Sequence, residues 1–250
     1  MLIVEQKLIE FIRKVVHKAN KTKVVVGISG GIDSAVVASL CAKALGPENV
    51  IGIKLPCGAS SSIVDAQAVI DSLKIKSQTY YLTNAFEFIT HLDDIGGQSQ
   101  IRLGNIKARL RMIYLYDIAA ANDALVAGTT NYSEYLLGYF TKWGDGAVDF
   151  EPIQELWKDE VYFLAGQLGN IPESTINKPA SADLWEGQTD EDEFGFTYKD
   201  LKDYVCGELL NGEIGIKIAK RMMANNHKTA LIPSCCLRQH PYDELTWEVK

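Results

Sequence analysis

The stretch KVVVGISGGIDSAVVASL (23–40) decides the fold. Its opening, KVVVGI (23–28), is a short β-branched run that ends at glycine, the pattern of a buried strand. From Ser34 to Leu45 the apolar spacing turns helical. Between strand and helix lie Gly27, Ile28, Ser29, Gly30, Gly31, Ile32, Asp33 and Ser34. Glycines let a backbone turn sharply and approach a ligand closely. The free amides at a helix start, with the positive end of its dipole, suit an anion, and Ser29 and Ser34 add hydroxyls. Asp33 would repel a phosphate unless a cation intervened. It therefore implies Mg²⁺, which is held by one or two carboxylates together with phosphate oxygens. The Gly-Lys-Ser/Thr ending of a Walker A loop is absent. The bland alternative is a plain strand–helix turn with Asp33 as its cap.

Outward from this stretch the same alternation repeats. Residues 3–18 carry apolar side chains at near-helical spacing. NVIGIKLP (49–56) reads as a strand stopped at Pro56, IVDAQAVIDSL (63–73) as a helix and SQTYYL (77–82) as a strand. Residues 101–122 read as one long helix, and ALVAGT (124–129) as a further buried strand. Strands alternating with helices predict an α/β fold, a parallel sheet with helices on both faces. Ligands of such sheets bind beyond the carboxyl ends of the strands. The pattern places the core sheet at about 20–165, within a single domain spanning 1–250. After about residue 145 the alternation fades, and 170–196 is polar, with the acidic run TDEDEF (189–194). A segment of that length reads as a lid or binding loop, or as a solvated acidic loop. Helical stretches follow at 197–210 and 213–224.

The chain has 250 residues, with 47% hydrophobic and 23% charged, enough apolar content for a sizeable core. No apolar run approaches the roughly 20 residues that span a bilayer, and the amino terminus lacks a signal-peptide layout. A cytoplasmic protein with no membrane partner is expected. The net charge of −7 argues against a broad nucleic-acid surface. Cys41, Cys57, Cys206, Cys235 and Cys236 are odd in number and form no C-x-x-C, so reduced structural thiols are expected. Cys57, in the loop after the second strand, either touches a nucleotide base or merely packs.

A second dense region, ALVAGTTNYSEYLLGYFTKWGDGAVDFEPIQELWKDEV (124–161), follows a strand end. It delivers Thr129, Glu134, Lys142 and Lys158. Beside the glycine loop, Glu134 would be a second metal carboxylate, and Lys158 would neutralise phosphate charge. Metal and lysine together stabilise a departing pyrophosphate.

The SGGIDS loop resembles the pyrophosphate-binding loop of ATP pyrophosphatases, an adenine nucleotide alpha-hydrolase-like, Rossmann-like group. GTTNYSEYLLGYFTKWGDGAVDFEPI (128–153), NIKARLRM (105–112), KPASADLWEGQTDEDEFGFTY (178–198) and NNHK (225–228) together resemble the NAD synthetases. The resemblance covers nearly the whole chain. The GDG and GQTDE motifs separate it from other ligases with the same loop, such as the synthetase module of GMP synthetase, whereas a non-catalytic nucleotide sensor would need neither Asp33 nor Glu134. It implies that the nicotinate carboxylate of deamido-NAD is adenylated by ATP and that ammonia then displaces AMP. It places ATP on Gly27 to Ser34, Thr129, Lys158 and Ser181, where many family members have threonine. It places Mg²⁺ on Asp33 and Glu134, and it makes Asp33 and Lys158 the catalytic pair.

Deamido-NAD falls by the same resemblance on Arg109, Lys142, Asp149, His227 and Lys228. Arg109 is preferred over Arg111 by the family pattern, because spacing alone does not decide. A lone His227 beside a lysine otherwise reads as a surface residue. Glutamine-dependent members carry a separate glutaminase domain, for which this chain has no room. Free ammonia, or ammonia from another protein, is therefore expected as the nitrogen source. The resemblance also implies a homodimer. The 101–122 helix would pack against its twin or into the internal core.

Overall fold

The structure, a computed structural model, describes residues 2–58, 62–91, 99–181, 187–208 and 212–230. Helix α1 (Leu2–Lys18) leads into β1 (Lys23–Gly27) and α2 (Ile32–Leu45). A 3-10 turn (Pro47–Asn49) precedes β2 (Val50–Lys54), α3 (Ser62–Leu73) and β3 (Lys76–Thr79). Helices α4 (Thr83–His91) and α5 (Gln100–Asn122) carry the chain to β4 (Ala124–Ala127). Then come α6 (Tyr132–Leu137), α7 (Lys158–Leu168), α8 (Glu173–Ile176), α9 (Asp190–Phe194), α10 (Tyr198–Val205) and α11 (Glu213–Thr229).

The sheet is parallel throughout, in the order β3-β2-β1-β4. The chain moves outward from β1 to β2 to β3, then returns to pair β4 with the other side of β1. Right-handed crossovers in opposite directions put their helices on opposite faces. The packing shows this. Val24 and Val26 of β1 face α1, α2, α3 and α7, whereas Val25 faces α4 and α5 together with Ile51, Ile53 and Val126. The two-residue alternation of a strand thus feeds two cores, and each fully buried Val or Ile contributes about 1.5–3 kcal/mol. Gly52 serves the first core by its lack of a side chain. A Cβ there would lie 3.0 Å from Ile75 and 3.1 Å from Ile28. A third cluster, of Leu137, Phe194, Phe196, Leu201 and Ile218, joins α6, α9, α10 and α11.

The α/β expectation holds, and the strand positions agree closely. SQTYYL (77–82) departs from expectation, because β3 ends at Thr79. Tyr80 and Leu82 still bond back to Lys54 and Pro56 (3.0 and 2.9 Å), but Leu82 turns inward and plugs the second core. Helix α11 runs five residues past its expected end and takes His227 and Lys228 into its last turn, where cations suit the negative end of the helix dipole. Two short helices, α8 and α9, occupy part of the polar stretch 170–196, of which 182–186 lies outside the described residues. Among the described residues no helix is long and apolar enough to cross a membrane. Burial pushes the Cys41 thiol up to about 12, as befits an inert packing residue. Cys206 is exposed, and Cys235 and Cys236 lie outside the described residues.

Candidate active site

The strand order reverses between β1 and β4, so the crevice of the sheet opens at their carboxyl ends. Residues 27–34 leave β1 at that point. Gly30 has φ +82°, and a Cβ on it would lie 2.6 Å from the Ser62 carbonyl oxygen, so conformation and the close approach of α3 both demand glycine. The Gly31 amide donates to Ser29 Oγ (3.2 Å), and the Ser34 hydroxyl donates to the Gly31 carbonyl (3.0 Å). No side chain caps α2 behind Gly31, which leaves its first amides for an anion. Ile28 and Ile32 are core side chains. Of the expected nucleotide contacts, these two therefore offer main chain only.

Three segments converge on Asp33, the second residue of α2. Asn131 caps α6 in a capping box with Glu134, and its Nδ2 donates to Asp33 Oδ1 (2.9 Å). The Tyr132 amide donates to the Leu156 carbonyl (2.8 Å), and the Tyr132 ring meets Trp157 edge-on. These contacts bring α6 beside the start of α7, whose first residue is Lys158. Its Nζ donates to Asp33 Oδ2 (2.6 Å) and Glu134 Oε1 (3.1 Å), and the residue is only 4% exposed. Tyr198 lays its ring 5.5 Å from that ammonium and donates its hydroxyl to Asp190 Oδ2 (2.7 Å). Asp190 is buried too, and its Oδ1 has no hydrogen-bond partner.

Charge in this cluster is unbalanced, with three carboxylates set around one lysine. Burial, aided by Asp33 and Asp190, pushes Glu134 up to about 8 against the pull of Lys158. Burial disfavours the Lys158 ammonium, but Asp33 and Glu134 outweigh it and raise its pKa. Burial likewise raises Asp190.

A second group gathers where α5, the loop after α6 and α11 meet. Arg109 of α5 donates to the Lys142 carbonyl (3.2 Å), and Lys142 Nζ donates to the His227 carbonyl (2.6 Å). Lys228 Nζ donates to the carbonyls of Gly138 and Phe140 (2.7 and 2.9 Å). Four of the five residues expected to bind the dinucleotide are thus contiguous, although they come from α5, the loop after α6, and α11. Arg111 turns elsewhere and donates to the Leu55 carbonyl (3.3 Å). Asp149, the fifth, stands at the edge of β4, where it accepts from the Val126 amide (2.7 Å). A cavity of about 280 Å³ between α6 and α11 adjoins this group through Gly138. Thr129 is half-buried on the turn after β4. Ser181 is exposed at the end of a described stretch whose base is tied to α3 by the Lys178–Asp65 ion pair (2.8 Å).

The NAD synthase family profile matches residues 4–235. The chain belongs to the NAD synthase family. It is 48% identical to an NH(3)-dependent NAD(+) synthetase of Methanococcoides burtonii over 209 residues, 82% of this chain and 79% of that one. Among solved structures, NMN synthetase from Francisella tularensis aligns with TM-score 0.87 at 35% identity, over 93% of this chain and 97% of that one. NH3-dependent NAD synthetase from Campylobacter jejuni, in complex with the nitrate ion, aligns with TM-score 0.80 at 33% identity, over 94% and 98%.

For an NAD synthase the cluster at Lys158 is chemically apt. Among the described residues no group of three or more His, Cys, Asp and Glu side chains is arranged to hold a metal ion. Asp33 and Glu134 alone remain a suitable donor pair, because Mg²⁺ needs few carboxylates when phosphate oxygens and water complete its shell. The orphaned Asp190 oxygen and the carboxyl of Glu134, whose proton a cation would displace, fit an incoming cation. Sequence reading overlooked Asn131, Tyr198 and Glu151. The available signal for Asn131 was N-Y-S-E (131–134), a capping-box spacing. Glu151 gave no such signal. Its carboxylate packs over Gly128, where a Cβ would lie 2.3 Å away, and it accepts from the Thr130 amide (3.1 Å).

Proposed function

We propose that this protein is an ammonia-dependent NAD synthetase that converts deamido-NAD, ATP and ammonia into NAD, AMP and pyrophosphate, the last step of NAD biosynthesis. The observation that carries this reading is the Lys158–Asp33–Glu134 cluster at the mouth of the glycine loop, in a chain that also gathers Arg109, Lys142, His227 and Lys228 into one basic group. The glycine loop holds the ATP phosphates on main-chain amides, with Ser29, Ser34, Thr129 and Ser181 as hydroxyl partners. The basic group holds the two phosphates of the dinucleotide and presents its nicotinate carboxylate.

A carboxylate oxygen attacks the α-phosphorus of ATP, the bond to the β-phosphate bridge breaks, and pyrophosphate leaves. Lys158, held as an ammonium by its carboxylates, stabilises the charge of that leaving group. Ammonia then attacks the acyl carbon, AMP departs with the shared oxygen, and one proton is released to solvent. Mg²⁺, when bound at Asp33 and Glu134, supplies charge neutralisation on the phosphates. Residues 187–196, which carry Asp190, form the wall that keeps water from the adenylate. The reaction uses soluble nucleotides, in keeping with a cytoplasmic protein, and the active form is a homodimer.

Chromatography of a reaction containing Mg-ATP, deamido-NAD and ammonium tests the proposal. Equal amounts of NAD, AMP and pyrophosphate are expected, and none after chelation. Nicotinate mononucleotide belongs in a parallel reaction, given the relative named NMN synthetase. Faster turnover of that acceptor would move the substrate assignment. ATP left intact with every acceptor would overturn the enzyme reading. Glutamine substituted for ammonium is expected to give no product. Comparable turnover with pure glutamine would contradict ammonia dependence.

A further inference from the structure

Arg221, on α11, lies outside both groups of substrate residues, yet it touches the segments that carry them. Its guanidinium stacks 4.6 Å over the Phe194 ring of α9 and 5.4 Å from the Tyr139 ring. Its Nη2 donates to Glu193 Oε1 (3.1 Å). Glu193 Oε2 in turn accepts from the Tyr139 hydroxyl (3.0 Å) and from Gln188 Nε2 (2.9 Å). The Arg221 Nε is buried without a hydrogen-bond partner. Such an orphan donor is costly, so simple packing is a poor reason for arginine here. What a guanidinium adds is a cation placed against two aromatic rings while its fork reaches a carboxylate.

We propose that Arg221 is a positioning residue that couples binding of the dinucleotide to binding of ATP, by locking α9 against α11 and the 139–142 loop. The inference rests on the substrate assignment above. On one side, Arg221 precedes His227 and Lys228 within the same helix, and Tyr139 lies three residues before Lys142. On the other side, α9 begins at Asp190, whose Oδ2 is held by Tyr198 beside Lys158. A ligand that settles α11 and the Lys142 loop therefore also fixes the carboxylate bordering the ATP cluster. Coupling between two sites is reciprocal and commonly amounts to about 5–150-fold in affinity. Each substrate is expected to tighten the other within that range.

Calorimetric titration of a non-hydrolysable ATP analogue in which methylene replaces the α,β-bridging oxygen, with and without saturating deamido-NAD, tests this. For Arg221→Met the enhancement by deamido-NAD should fall to about twofold or less. Affinity for the analogue alone should change less than about threefold, because the contacts of Arg221 lie outside the residues expected to hold ATP. Arg221→Lys should behave like Arg221→Met, since a point charge cannot stack and fork together. Should Arg221→Met fail to fold, Glu193→Gln, which keeps the shape and removes the charge, serves in its place and should weaken coupling in the same direction. Full coupling in a folded variant overturns the inference, as does a wild-type protein without coupling. A lowered melting temperature with coupling intact would mark the contact as merely structural. Wild-type protein that makes NAD while Arg221→Met keeps full coupling refutes only this inference. Wild-type protein that neither binds deamido-NAD nor makes NAD refutes the underlying assignment as well.

Discussion

Lys158 satisfies two carboxylates at once from a buried position, so its replacement acts on activity and stability separately. Lys158→Met should lower kcat by about 10²–10³-fold, the loss usual for one electrostatic donor, with little change in KM for deamido-NAD. Removing one partner of a buried ion pair costs about 3–5 kcal/mol, so the melting temperature should fall as well. Assays well below the new melting temperature separate the two effects. An unchanged kcat in folded protein would remove Lys158 from the mechanism. Gly30 fails differently. At φ +82° a side chain strains the backbone by about 1–2 kcal/mol, and this one also meets the Ser62 carbonyl. Gly30→Ala should raise KM for ATP more than KM for deamido-NAD, and steady-state kinetics would show the split.

Glu151 makes a prediction of opposite sign in pH from the usual surface carboxylate. Burial pushes it up to about 8, against hydrogen bonds from Thr130, with Glu134 and Asp145 also raising it. A folded value above the unfolded one, about 4.3, means that the native state binds more protons between the two. The stability from this group is complete below the unfolded value and lost as pH rises towards 8. The slope approaches about 1.4 kcal/mol per pH unit. Glu151→Gln should flatten this decline, as read by urea unfolding at pH 5.5, 6.5 and 7.5. An identical slope in wild type and variant would contradict the assignment.

At the scale of elements, legibility in the sequence followed how each element is stabilised. β1, β2 and β4 are buried on both faces, and such strands announce themselves as short apolar runs. β3 lies at the sheet edge with exposed side chains (KSQT), so its apolar neighbours Tyr80, Tyr81 and Leu82 drew the expected strand too far along the chain. The phosphate loop was readable because glycine pattern and backbone geometry are local. The meeting of Lys158 with Asp33 was readable only through the family resemblance, since the two lie 125 residues apart and are joined by the docking of α6 against the start of α7. α10 shows what a local signal is worth. Thr197 and Asp200 form a capping box, with the Thr197 amide donating to Asp200 Oδ2 (2.8 Å) and the Asp200 amide to Thr197 Oγ1 (3.1 Å). Thr197→Ala should cost about 1 kcal/mol. Amide hydrogen exchange should show the loosening first in α10, which carries Tyr198. Protection unchanged in α10 would mean that tertiary packing, not the cap, holds this helix.

Over the whole molecule the two halves of the site differ in how far they are enclosed. The Lys158 cluster is buried within one chain, whereas Arg109 and His227 are exposed. A dinucleotide held only by the second group would lie open to water, which an adenylated intermediate must avoid. A second copy of the chain is the simplest missing wall. The apolar surface for it is at hand: Ile101 and Ile113 stand 66% and 55% exposed on α5, the helix that also presents Arg109, and Phe88 stands 69% exposed on α4, which packs on α5. Large apolar side chains left exposed in this way suit contact with another protein. Light scattering should therefore give twice the chain mass of 27.6 kDa. If α5 is the contact, Ile113→Glu should shift the protein towards monomer by burying a charge in an apolar interface. KM for deamido-NAD should rise in proportion, whereas ATP affinity, which depends on one chain, should hold. A wild-type monomer with full activity would show that each chain encloses its own substrate.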